Sequence, residues 1–132
     1  MSGRYTGVTL PSGGRLFALD YDEVFVVDLD DPSNFEIMEI SPRDFVKGRP
    51  DVIGVASPER TTSSEIHTLK GMTLESSFDP TSDEVAVKYK VKDGEGELKF
   101  PILSGDWFSM SFSADGKYIV LAEPYTIAVY EV

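Results

Sequence analysis

The chain has 132 residues, a formal net charge of −11, a single histidine and no cysteine. A chain of that length reads as one domain, residues 1–132, and by surface scaling it hides roughly two-thirds of the area its unfolded form exposes, so it can fold without disulfides or a structural metal. The missing thiols exclude disulfide frameworks, thiolate zinc sites, iron–sulfur ligation and cysteine nucleophiles. From the N-terminus onward the apolar period is two rather than 3.6. That period predicts strands at Arg15–Asp20, Glu23–Leu29, Phe35–Ile40, Asp51–Val55, Met72–Phe78, Glu84–Val91, Glu97–Leu103, Trp107–Phe112, Tyr118–Leu121 and Ile127–Val132. They are rich in Val, Ile, Tyr and Phe, which suit a pleated, half-buried surface. Turn residues separate them: Ser12-Gly13-Gly14, Asp31-Pro32-Ser33, Asp79-Pro80, Asp93-Gly94 and Asp115-Gly116. One short helix is expected near 42–47, with Ser41 as its cap, Pro42 in its first turn and Gly48 at its exit. Residues 56–66 carry the least pattern, are polar, and read as either a mobile surface loop or a wide turn. The fold class that follows is all-β: propeller-like blades or a β-sandwich of short antiparallel hairpins.

Charge narrows the range of partners. Acidic residues outnumber basic ones 23 to 12. Lys88, Lys90 and Lys92 recur at spacing two, which on a strand is the solvated face of a sheet rather than a phosphate track. Direct binding to nucleic acid or to an anionic membrane is not expected. The longest apolar run, Ile119–Ala122, is far short of the ~20 residues that span a bilayer, and the start of the chain has no secretory apolar stretch. A soluble, cytoplasmic protein is the expectation. Gln is absent and Asn34 is the sole Asn, a thermophile tendency because amides degrade in hot water.

The chain also repeats itself. At an offset of 102, Leu10 falls on Phe112, Gly14 on Gly116, Arg15 on Lys117, Leu16 on Tyr118 and Leu19 on Leu121. After a one-residue gap Val24 meets Ile127, Val26 meets Val129, Asp28 meets Glu131 and Leu29 meets Val132. At an offset of 34, Leu74 falls on Phe108 and Phe78 on Phe112. Because 102 is three times 34, about four units are implied, the second eroded, with recognisable copies near 5–40, 72–103 and 106–132.

The run Ser111-Phe112-Ser113-Ala114-Asp115-Gly116-Lys117-Tyr118-Ile119-Val120, closing in Ile127-Ala128-Val129-Tyr130-Glu131-Val132, resembles a WD-repeat-like β-propeller blade. The stretch EVFVVDLDDPSNFEIMEI (residues 23–40) is similar to blades of the LVIVD type. The resemblance implies a rigid binding platform, commonly for proteins. Blades ordinarily take ~40 residues and a ring needs four to eight. The length therefore implies unusually compact units, several chains sharing one ring, or hairpins packed as a sandwich.

Few residues invite chemistry. With His67 alone, neither a hydrolytic triad nor a two-histidine metal site fits in one chain. The acidic group Asp20, Asp22, Glu23, Asp28, Asp30 and Asp31 offers hard oxygen ligands of the kind calcium takes, but without the spacing of a calcium loop. Turn formation explains the same residues. Trp107 lies on the strand face shared with Ser109 and Ser111, either as an exposed interaction anchor or buried under a neighbouring layer. No cofactor motif is present. The functional expectation is a non-catalytic protein-interaction or assembly module, binding another protein or its own copies. The alternatives are an acidic decoy, of the kind a virus would aim at a basic nucleic-acid-binding protein, and a small calcium-binding or hydrolytic protein built on the Asp20–Asp31 group.

Overall fold

The structure, a computed structural model of the chain, describes residues 4–49, 51–56, 65–103 and 107–132. These residues form three antiparallel sheets and one short helix. In the first sheet β1 (Gly7–Thr9), β2 (Arg15–Leu19), β3 (Val24–Asp28) and β4 (Asp31–Ile37) run as a meander, with β5 (Val52–Ile53) added beside β1. The second is the meander β6 (Thr68–Leu69), β7 (Met72–Asp79), β8 (Glu84–Val91) and β9 (Gly94–Pro101). The third has three strands, β10 (Ser109–Phe112), β11 (Tyr118–Glu123) and β12 (Thr126–Glu131). Among the described residues no helix is long and apolar enough to cross a membrane.

Local chemistry sets the hairpins. Ser12 and Arg15 exchange both backbone hydrogen bonds across Gly13 and Gly14, whose φ values of 61° and 73° are left-handed. Glycine meets that requirement without steric cost, and two such residues in succession match the twist of the strands they join. The β10–β11 turn reaches the same end with side chains. The Ser113 hydroxyl and the Lys117 amide donate to Asp115 Oδ1 at 2.7 and 3.0 Å. Those two bonds, the hydroxyl first, hold the Asp115 carboxyl below its usual range. Helix α1 (Pro42–Phe45) starts as its sequence predicts: Ser41 Oγ accepts from the Asp44 amide at 3.1 Å and Pro42 occupies the first turn. At β5 the chain approaches β1 so closely that a Cβ on Gly54 would stand 2.6 Å from the Thr6 carbonyl oxygen, at a φ of +121°.

Every residue of β11 is buried, and its side chains alternate between two different neighbours. Tyr118, Val120 and Ala122 pack with Val8, Leu16, Ala18, Phe25 and Val27 of the first sheet. Ile119 and Leu121, with Met110 and Phe112 from β10, pack with Met72, Leu74, Val85, Val87 and Phe100 of the second. The third sheet is thus the middle layer, and burial of each of its larger aliphatic side chains stabilises the fold by about 1.5–3 kcal/mol. The outward face of the first sheet is covered by α1. Phe45 meets Leu19, Val24 and Val52 there, and the Arg49 guanidinium lies 4.2 Å from the Phe45 ring centre while paired to Asp51. The outward face of the second sheet is charged: Glu75 stands opposite Lys88, Lys88 opposite Glu97 and Lys90 opposite Glu95.

Some boundaries differ from the sequence reading. β1 and β6 have too few residues to show a period. β4 begins at Asp31 rather than Phe35, because Asp31 already pairs with Asp28 across a bulge at Val27 and Asp28. The hairpin expected at Asp93-Gly94 turns on Lys92 and Asp93, with Gly94 paired to Val91, so β9 starts at Gly94 rather than Glu97. Most of the predicted loop 56–66 lies outside the described residues.

Candidate interaction surface

The acidic group does not converge. Asp20 is fully buried in the β2–β3 turn, where Oδ1 accepts from the amides of Asp22 and Glu23 at 2.8 and 2.7 Å. At the other end of β3, Asp28 Oδ1 accepts from the Asp30 amide at 3.0 Å and Asp31 Oδ1 accepts from the Ser33 hydroxyl at 2.8 Å. Asp30 accepts from the Tyr118 hydroxyl, tying the first sheet to the third. The two ends are roughly 15 Å apart, the length of a five-residue strand. Among the described residues no group of three or more His, Asp or Glu side chains is placed to hold a metal ion. The carboxylates of Asp20, Asp28, Asp30 and Asp31 each serve a turn or a cross-sheet bond. Tyr5 lies near Asp20, and burial first, then that negative charge, pushes its phenol upward from the ordinary value.

Trp107 is half-buried against the core between the first and third sheets. Its indole Nε1 is enclosed and has no acceptor among the described residues, a desolvation cost of about 1–3 kcal/mol. The ring packs against that core. His67 belongs to a short segment that closes the outer edge of β10. Phe112 N donates to Ile66 O at 2.9 Å, Ile66 N to Ser111 Oγ at 2.9 Å and Met110 N to Glu65 Oε2 at 2.6 Å. The His67 imidazole Nε2 lies 3.0 Å from Met110 O.

The opposite edge of that sheet is different. The turn Pro124-Tyr125 makes Glu123 and Thr126 a hydrogen-bonded pair. Alternate pairs follow to Lys117 and Val132, whose amide–carbonyl distance is 2.8 Å. By that parity the backbone groups of Thr126, Ala128 and Tyr130 point to β11, while those of Ile127, Val129 and Glu131 point away from it. No hydrogen bond among the described residues takes up these outward groups.

Two hollows flank this edge, on opposite faces of the sheet. On one side β4 overhangs β12. Phe35 and Ile37 stand opposite Val27 and Phe25 in register and share their face, yet remain 48% and 58% exposed. Beside Phe35 is a cavity of about 160 Å³ lined also by Tyr5, Phe25, Val27, Ser33 and Ile127. On the other side a groove of about 400 Å³ has a floor of Tyr89, Val91, Leu98 and Tyr130. Asp93, Glu95 and Glu131 border it, but Glu95 shares the outward face of the second sheet with Lys90, and Glu131 shares the face of Tyr118 toward the first sheet.

Other edges are defended. By the same parity β9 turns outward the backbone of Glu95, Glu97, Lys99 and Pro101, three charged residues and one lacking an amide hydrogen. β4 has Pro32 and the bulge at Val27 and Asp28, both of which disrupt pairing. Sequence reading did not find the β12 edge. Its one local signal is that Thr126–Tyr130 contains neither a charge nor a proline. The chain matches no protein-family model, no curated protein and no solved structure.

Proposed function

We propose that the protein is a non-catalytic interaction module that takes one extended segment of a partner protein as an added strand on β12. The observation that carries this reading is that no hydrogen bond among the described residues takes up the outward amides of Ile127, Val129 and Glu131, beside the exposed ring of Phe35. Strand addition at such an edge draws affinity from main-chain hydrogen bonds and specificity from alternate side chains. In this reading the three meanders are compact, propeller-like blades. Strands aligned by the offsets of 34 and 102 occupy equivalent places: β1, β7 and β10 lead, β2, β8 and β11 follow, and β3, β9 and β12 come next. The third meander packs between the second and the first, as the last unit of a circular series does when the first follows it. The eroded unit falls in the region of α1 and β5. A ring shared between chains is disfavoured, since α1 covers one outer face of the stack and paired charges cover the other, as capping units do.

Val129→Pro tests the reading. Proline removes one outward donor and leaves the pairs to β11 intact, the setting in which edge strands tolerate it. The variant is expected to melt within a few degrees of the wild type and to lose peptides selected on the wild-type edge by tenfold or more, read by fluorescence anisotropy. Undiminished binding by the folded variant would refute strand addition at β12.

A further inference from the structure

Ile127 is the one residue of β12 that lines the cavity beside Phe35. Its backbone groups point away from β11, so a residue added across from it forms a hydrogen-bonded pair and shares its face, toward the first sheet. Val129 and Glu131 share that face but do not line the cavity. An added strand therefore offers the cavity one side chain, the one opposite Ile127.

The lining has no charged side chain and holds three aromatic rings, those of Tyr5, Phe25 and Phe35. Phe25 and Phe35 meet edge to face, with ring centres 5.8 Å apart at an interplanar angle of 83°, an arrangement that aromatic pairs prefer. The volume of about 160 Å³ is close to that of an engineered apolar cavity of ~150 Å³ that binds benzene. We infer that the segment added to β12 carries a phenylalanine opposite Ile127, and that its ring enters this cavity. The inference rests on the strand-addition reading and names the partner's anchor. A smaller side chain leaves part of the space without contacts, and a charged one loses its hydration with no counter-ion in the lining.

The ring comes from another protein. Residues 1–3, 50, 57–64 and 104–106, which lie outside the described residues, include no Phe, Tyr or Trp. A second copy is disfavoured because two chains of charge −11 repel each other.

The test uses the full chain and fluorescein-labelled heptapeptides followed by anisotropy. The probe is Ser-Val-Thr-Phe-Thr-Val-Ser, with Leu, Ala and Lys versions at its central position. The Phe peptide is expected to bind at least about tenfold more tightly than the Ala and Lys versions, the effect of burying one such side chain. Its margin over the Leu version is expected to be about threefold, from ring-on-ring contact. Ile127→Phe fills the cavity from the protein side and is expected to abolish most of the Phe peptide's advantage over the Ala peptide. In the wild-type complex the peptide's ring protons are expected to show nuclear Overhauser contacts to the Ile127 methyl groups. Equal binding of the Phe and Ala peptides, or no contact between that ring and Ile127, would overturn the anchor and leave strand addition standing. Equal binding of the Leu peptide would overturn the preference for a ring. Failure of all four peptides to bind at millimolar concentration, or unchanged binding of the Phe peptide to Val129→Pro, would overturn the strand-addition reading itself. A solution mass of two chains, returned to one by that substitution, would place a second copy on the edge and refute the assignment to another protein.

Discussion

β9 and β12 hold the same place in their meanders, each the outer partner of the preceding strand, and the protein ends them in opposite ways. β9 sets Glu95, Glu97, Lys99 and Pro101 along its free side, with Lys99 Nζ 2.9 Å from Glu97 Oε1. β12 sets out the backbone of Ile127, Val129 and Glu131 with one charge among them and tucks the edge between two sheets. Natural sheets use charge and proline to prevent unwanted pairing. Here one edge carries those guards, and the corresponding edge carries one charge and no partner strand among the described residues.

The comparison can be broken most forcefully at the packing beneath each strand. Leu121 is fully buried in the middle layer, whereas Leu98 on β9 is half-buried. Leu121→Ala is expected to cost about 3–4 kcal/mol and Leu98→Ala less than about half of that, by urea denaturation. Equal losses would mean that β9 is as deeply anchored as the central strand. A smaller effect sharpens the cavity side. Because the folded-state pKa of Tyr5 is raised, its contribution is present in full below the ordinary tyrosine value near 10 and is lost as pH rises from there through the folded value. The wild type is therefore expected to lose stability across that alkaline window more steeply than Tyr5→Phe, measured by thermal melts at stepped pH. Parallel curves would place Tyr5 in water rather than beside the cavity.

Much of this architecture is visible in the linear chain, because alternation is a local property. Glu84–Val91 matches the predicted strand end for end, and Ser41-Pro42 marks the helix start by capping chemistry alone. The repeat offsets are legible for the same reason, since they compare like strands. What escapes the sequence is tertiary. Asp20 and Asp30 are ten positions apart and read as one cluster, but an intervening extended strand separates them. The pattern around Trp107 fits an exposed anchor or a buried ring equally, and the core cluster it packs against includes residues about one hundred positions earlier, Val8 and Leu16 among them. The β12 edge is the least legible feature. That a strand is outermost depends on how many strands its sheet acquires, and no local pattern encodes that number.

The central claim is that the edge of β12 is unpaired and receives a strand. Backbone amide exchange followed residue by residue, with and without a peptide selected on the wild-type edge, tests it most directly. The free protein is predicted to protect Ala128 and Tyr130 while Ile127, Val129 and Glu131 exchange quickly, and the peptide is predicted to slow those three. Protection of all five in the free protein, or no slowing at a saturating peptide concentration, would contradict the account.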